Sequence, residues 1–248
     1  MPIWRRRKLV AATIHPSDSP QRGDRNTVQG DNQEIETPAV TVDVVILTVR
    51  DHRLEVLLVR RDHPPFEGSW ALPGRFVRLD ESLEDAARRK LLEETGAQDV
   101  YLEQLYTFGE PQRDPRMRVV TVVYYALIRP DLVCGKHGTP GAQEAQLFPA
   151  YAVPPLAFDH DRILRYSLQR LRGKLEYTTI GFQLLGREFT LSELQEVYEA
   201  ILNKRLDKRN FRKKLLMTHL LEPTQHTKMA GQHRPALLYR FNPRAASE

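Results

Sequence analysis

With 248 residues, 41% of them hydrophobic and 28% charged, the chain is apolar enough to build cores and longer than one average domain. Two compact units and a tail are expected, and a wholly disordered chain is excluded. The single cysteine, Cys134, excludes an internal disulfide scaffold and a CxxC zinc site and makes a reducing cytoplasm the simplest home. The net charge of +5 is unevenly divided: residues 161–248 hold 17 Lys or Arg against 9 Asp or Glu, and residues 1–160 hold 20 against 23. A polyanion partner for the C-terminal part accounts for that division, as does a merely solvated basic surface.

At the N-terminus, Trp4-Arg5-Arg6-Arg7-Lys8 is followed only by Leu9 to Ile14 as an apolar stretch, too short for a secretory signal, so it is expected to stay uncleaved. No apolar run, Val44 to Leu47 being typical, approaches the roughly 18 residues of a membrane span. From Pro16 to about Thr37 the sequence is polar with Gly and Pro and has no apolar period; residues 1–37 read as a disordered basic and polar lead. Val40 to Leu47 and Leu54 to Val59 predict two strands joined by a short turn at Arg50-Asp51-His52-Arg53. After a loop through Pro64-Pro65-Phe66 and Trp70-Ala71-Leu72-Pro73-Gly74, a helix is predicted to Thr95 with Ser82 as N-cap, Asp85 three residues on, and Gly96 as C-cap. Strands are predicted at Tyr101–Gly109 and Val119–Ile128, completing a first unit over 38–155. Over 156–178 a linking helix carries Leu164, Leu168, Leu171 and Leu175 as one stripe, which packs on its own domain or forms a dimer or interdomain seam.

The second unit, 179–248, opens with a Thr190-Leu191-Ser192-Glu193 capping box and a helix whose apolar positions are Leu191, Leu194, Val197, Tyr198, Ile201 and Leu202. Asp207 caps a second helix with only Phe211 and Leu215 as apolar contacts. Its other faces, with the preceding turn, carry Lys204, Arg205, Lys208, Arg209, Arg212, Lys213 and Lys214 against the lone acid Asp207. A packed core has no use for seven cations, whereas a recognition helix uses them on phosphates and uses Arg or Asn near its start, here Asn210, on purine edges. Leu220-Leu221, a polar loop from Thr227 to His233 containing Lys228 and Gly231, Arg234, and Ala236 to Phe241 predict a β-hairpin wing.

Between Leu72 and Ala97 the sequence resembles the Nudix box, with Glu81 at the early acidic position and Arg89-Lys90-Leu91-Leu92-Glu93-Glu94-Thr95-Gly96-Ala97 at the end. The resemblance implies helix carboxylates that hold Mg²⁺ against a diphosphate, and an Arg89–Glu81 ion pair that braces loop to helix. Two positions depart from it. Lys90 stands where the family has a metal-binding glutamate, one turn from Glu94, and Arg75 stands at the family glycine. A cation at 90 repels the metal, so Glu93 and Glu94 are expected to be weak ligands at best, no cofactor is required, and efficient hydrolysis is not expected. Arg60, Arg61, Arg75, Arg113, Arg116 and Arg118 are candidates to clamp a diphosphate by charge-assisted hydrogen bonds, or else are solvated arginines. Phe66, Trp70 and Tyr106 are candidates to stack on a nucleobase, or else belong to the core.

A Nudix α/β/α sandwich followed by a C-terminal winged helix-turn-helix, an α+β chain, resembles the Nudix-related transcriptional regulators of NAD metabolism, the NrtR group. The segments that carry this likeness are Leu156-Ala157-Phe158-Asp159-His160, Phe189 to Gln195, Leu206 to Arg212, and Arg234-Pro235-Ala236 with Tyr239-Arg240-Phe241. The resemblance spans about residues 38–242. It implies a homodimeric repressor of NAD synthesis or salvage genes that binds double-stranded palindromic operator DNA and is released by ADP-ribose or a related nucleotide. An active ADP-ribose pyrophosphohydrolase with a nucleic-acid module attached is the alternative that Lys90 disfavours.

Overall fold

A computed structural model describes residues 37–133, 144–176, 178–229 and 235–242. The predicted lead up to Glu36, and with it the basic run from Arg5 to Lys8, lies outside these residues, as do Cys134, Gly231 and Arg234.

The first unit is built on β1 (Ala39–Arg50), β2 (Arg53–Arg60), β3 (Trp70–Ala71), β4 (Gly74–Phe76), β5 (Tyr101–Phe108), β6 (Val119–Leu127) and β7 (Ala145–Pro149). They form one sheet in the order β3-β2-β1-β6-β5, with β4 also pairing β1 and β7 pairing β2. The β1–β6 pairing is parallel, with Val42 opposite Val122 and Leu47 opposite Leu127, and the others are antiparallel. Val42 to Thr48 are all buried, because helices cover both faces of the sheet. Val44, Ile46, Val122, Tyr124 and Ala126 face helix α1 (Leu83–Thr95), whose Ala86 and Ala87 permit close approach. Ser82 caps α1 by accepting the Asp85 N–H, and Gly96 ends it at φ 69°, a left-handed conformation that glycine adopts without a Cβ clash. The short strands at 70–71, 74–76 and 145–149 fall in segments whose composition predicts only loop, since two to five residues are too few for an alternation to register.

The opposite face, Val45, Leu47, Val123, Tyr125 and Leu127, packs on helix α2 (His160–Lys174) through Ile163, Leu164, Leu168 and Leu171. The same cluster continues without a break into the second unit through Phe182, Phe189, Leu194, Val197 and Ile201. The leucine stripe of α2 therefore serves both readings at once, as wall of the sheet domain and as interdomain seam. That seam is also polar. The hydroxyl of Tyr151, in the loop after β7, donates to the Ile201 carbonyl at the end of α3 (Leu191–Leu202); Arg172 of α2 donates to the same carbonyl at 3.3 Å and lies 4.6 Å over the Tyr151 ring.

In the second unit α3 opens with the predicted capping box, the Thr190 hydroxyl accepting the Glu193 N–H and the Glu193 carboxylate accepting the Thr190 N–H. Helix α4 (Lys208–Leu216) follows a short turn, and β8 (Leu221–Lys228) pairs antiparallel with β9 (Ala236–Phe241) as the wing. Phe189 and Tyr239 bridge the wing to the loop before α3 through reciprocal backbone hydrogen bonds of 3.0 and 2.8 Å.

Candidate functional site

The motif carboxylates Glu81, Glu93 and Glu94 of the Nudix-like segment are each held by a cation of the chain. Arg89 donates to both oxygens of Glu81, from Nε at 2.9 Å, and so braces loop to helix. Arg75 donates to Glu93, which Arg89 also approaches at 3.7 Å. Lys90 pairs with Glu94 one turn on, both residues more than nine-tenths buried. The donor set therefore does not fit a divalent cation: each carboxylate that would face the metal is already neutralised by a fixed positive charge, and at Glu94 that charge is buried beside it. Among the described residues no group of three or more His, Cys, Asp or Glu side chains is arranged to hold a metal ion.

Beside this segment lies an open cleft at the ends of β1, β2 and β4. Four of the sequence-selected arginines line it, Arg61, Arg75, Arg113 and Arg116. The other candidates lie elsewhere. Arg60 turns away to Glu144 and the Gly68 carbonyl, and Arg118 donates to the Glu110 carbonyl. Trp70 packs edge-on against Phe148 at 4.8 Å while its carbonyl accepts the Ala157 N–H. Tyr106 stays half-exposed against Phe108 and Tyr166. Phe66 meets the cleft indirectly, edge-on to Phe158 at 4.9 Å, and it is Phe158 that lines the wall, with the Arg61 guanidinium 4.8 Å over its ring.

Three of the cleft arginines make hydrogen-bonded pairs with carboxylates. Arg75 has Glu93; Arg116 makes a bidentate pair with Asp114 at 3.0 and 2.7 Å; Arg113 makes one with Asp159 at 3.1 and 2.7 Å and reaches Asp43 at 3.5 Å. The Asp114 carboxyl is held below its usual range by the hydrogen bond from Arg116, which is itself raised by the same bond. Arg61 instead donates to the carbonyls of Pro65 and His63. Burial and the neighbouring charge of Arg116 pull its guanidinium below the ordinary value, against a smaller opposing pull from the Asp114 and Asp62 carboxylates. Two guanidiniums repelling one another at an open wall are what a bound diphosphate relieves.

The cleft floor was not legible as a site. Asp43 is an acid inside a valine-rich buried strand, and Gly74 faces it in the β1–β4 register; a Cβ on Gly74 would come within 2.0 Å of Asp43 Oδ1. His160, the first residue of α2, is 4% exposed, accepts the Leu72 N–H at Nδ1 (2.9 Å) and points Nε2 at Asp43, 3.8 Å away. Nδ1 accepting fixes the neutral, Nε2-protonated tautomer, and burial pushes the His160 pKa down. A base held below its unfolded value of 6.5 stabilises the fold fully above that pH, and the contribution is lost as pH falls below it. Urea unfolding midpoints of the parent should therefore drop between about pH 7 and pH 5.5 more steeply than those of His160→Gln; parallel pH profiles for the two proteins would remove this assignment.

The second site is the surface of α4. Asp207 caps it by accepting the Asn210 N–H at 2.8 Å, Leu215 is buried, and Phe211 packs edge-on against Tyr198 at 5.2 Å. That leaves Lys208, Arg209, Asn210, Lys213 and Lys214 exposed on one helix, with Lys204 exposed in the turn before it. Arg212 differs: it is half-buried and donates to Ser192 at the start of α3 (3.1 Å), tying the two helices together. Arg205 pairs with Glu199 at 3.1 Å and Lys228 of the wing with Glu193 at 2.6 Å, both with largely exposed cations. A row of exposed ammonium and guanidinium groups without ion-pair partners among the described residues, on a half-docked helix beside a two-stranded wing, is the surface a duplex major groove accepts.

Comparison with known proteins matches both domains. The NUDIX domain model matches residues 37–167, and the model of the NrtR DNA-binding winged helix domain matches residues 181–241. The chain is 41% identical over 212 residues, 83% of its length and 82% of the relative's, to the ADPR responsive transcriptional repressor NtrR of Acinetobacter baylyi. The crystal structure of Shewanella oneidensis NrtR complexed with a 27mer DNA superposes with a TM-score of 0.73 at 38% identity, covering 84% of this chain and 95% of that one. The NUDIX domain of the same Shewanella protein complexed with ADP ribose matches at 38% identity and a TM-score of 0.50, over 58% of this chain and 94% of that domain. A Nudix domain and an NrtR-type winged helix joined by one core, with 41% identity to the Acinetobacter repressor over more than four-fifths of both chains, identify the chain as a member of the NrtR family of Nudix-related transcriptional regulators.

Proposed function

We infer that the chain is a transcriptional repressor of NAD synthesis or salvage genes, that α4 reads its operator, and that ADP-ribose bound in the Nudix cleft releases it. One observation carries the reading: the cleft keeps four arginines and an aromatic wall, suited to a nucleoside diphosphate, while Glu81, Glu93 and Glu94 of the adjoining Nudix box are occupied by cations and unsuited to metal-assisted hydrolysis. Binding without turnover is what an effector site requires. The continuous core between the sheet, α2 and α3 supplies a mechanical path from the cleft to the winged helix.

A dimer is expected to place two α4 helices on half-sites spaced by about one helical turn, about 10 bp, or a multiple of it. Fluorescence anisotropy on promoter DNA of NAD synthesis genes tests the reading. ADP-ribose should weaken operator affinity by about 5- to 150-fold, and operator DNA should weaken ADP-ribose binding by the same factor. Tight ADP-ribose binding with operator affinity unchanged within error would sink the regulatory reading, leaving a nucleotide-binding protein with an unrelated DNA site.

A further inference from the structure

Asp159 occupies the N-cap position of α2, where an aspartate ordinarily accepts an N–H of the first helical turn. Here its side chain makes no capping hydrogen bond. Both carboxylate oxygens are turned instead to Arg113, which lines the cleft with its side chain only 4% exposed. The residue thus stands between two mutually exclusive sets of donors, a guanidinium that an anionic ligand also wants and the amides of the helix it begins. The adjoining Leu156 N–H is taken by Asp161 and the Leu72 N–H by His160, so the entry of α2 is pinned on either side of Asp159. At its far end α2 carries Arg172, hydrogen-bonded to the Ile201 carbonyl of α3, and Lys174, held by Glu103 between the hydroxyls of Tyr101 and Tyr125.

Resting on the effector reading above, we propose that Asp159 is the positioning residue through which the cleft controls the winged helix, by exchanging Arg113 for the first-turn amides of α2 when a diphosphate takes the guanidinium. Without ligand, the pair ties the start of α2 to Arg113 and, through it, to Asp43 of β1. With ligand, Arg113 donates to phosphate oxygens, Asp159 loses its bidentate partner and caps α2, and the first turn reseats. Because α2 is one wall of the interdomain core and holds the end of α3 through Arg172, a small displacement at its start is passed to α3 and so to α4. The two positions of one carboxylate give the bistable element that coupling between sites requires.

Asp159→Asn tests this, since it keeps the size and removes the charge that competes for Arg113. In the parent, ADP-ribose must displace the carboxylate; in the variant it need not. ADP-ribose should bind Asp159→Asn about threefold or more tighter, and its effect on operator affinity should fall to less than about twofold, from about 5- to 150-fold in the parent. A merely structural role would weaken both ligands and tighten neither. Should Asp159→Asn not fold, Asp159→Ser keeps a short capping side chain and carries the same expectations. A measurement on the parent stands beside these: hydrogen exchange at the first-turn amides of α2 should slow when ADP-ribose is added. Parent-like coupling in the folded variant, or exchange in that turn unchanged by ADP-ribose, overturns the role of Asp159 while leaving the effector reading intact. Absence of coupling in the parent itself is the failure of the effector reading, and the inference falls with it.

Discussion

Replacing Lys208, Arg209 and Lys213 together by alanine should abolish operator binding at ordinary salt while leaving ADP-ribose binding unchanged. All three are exposed on α4: Arg209 and Lys213 lie on the side away from the core contacts Phe211 and Leu215, and Lys208 stands at the first residue of the helix. Each lost base contact costs about 1–3 kcal/mol. A triple variant is expected to lose about 3–6 kcal/mol, roughly 10²- to 10⁴-fold in affinity. Loss of phosphate contacts also flattens the salt dependence by about 0.9 per contact removed, so a salt titration separates a disarmed helix from a misfolded one. Arg212→Ala is the instructive contrast. Its guanidinium is half-buried on Ser192, so its removal should loosen α4 from α3 and lower the unfolding midpoint, which the exposed triple should leave nearly unchanged. Operator affinity and salt slope both unaltered in the triple variant would place the DNA surface elsewhere on the chain.

The second large effect concerns catalysis. With Mg²⁺ and ADP-ribose the parent should turn over far below the ordinary enzyme range of about 1 s⁻¹ or more, because Lys90 neutralises Glu94 and Arg75 neutralises Glu93. Lys90→Glu alone sets a second carboxylate beside buried Glu94, a repulsive arrangement that a divalent cation relieves. The double variant Arg75→Gly with Lys90→Glu also releases Glu93. Hydrolysis should rise in that order, and added Mg²⁺ should raise the melting temperature of the double variant but not that of the parent. Lys90→Ala, by contrast, strands Glu94 without a partner and should cost about 3–5 kcal/mol of stability, the usual penalty for breaking a buried pair. Parent turnover at about 1 s⁻¹ or above would instead make the chain a hydrolase with a DNA-binding module attached.

The local chemistry of the sequence specified a good deal of this protein. Ser82, Gly96, Thr190, Glu193 and Asp207 act as caps within a few residues of where they stand, so the bounds of α1, α3 and α4 follow from short-range hydrogen bonding. The Lys90–Glu94 pair follows from a four-residue spacing on a helix, and the bare basic face of α4 from having only three apolar positions, Phe211, Leu215 and Leu216, in its nine residues. Such features need no knowledge of the rest of the chain.

What only the tertiary structure decided is which distant residues meet. Arg60 and Arg61 are equal as sequence, yet they adjoin at the end of β2, where neighbouring side chains point to opposite faces, and only Arg61 faces the cleft. Trp70 packs on Phe148 and is not among the residues that line the cleft. Asp43, Arg113, Asp159 and His160 come from β1, the loop before β6 and the start of α2, and are assembled by the β1–β6 pairing and by the Leu72 amide that seats His160. Caps and helix faces are set by neighbours three or four residues away, whereas a buried ion cluster depends on where strands pair and helices dock, which local spacing does not encode.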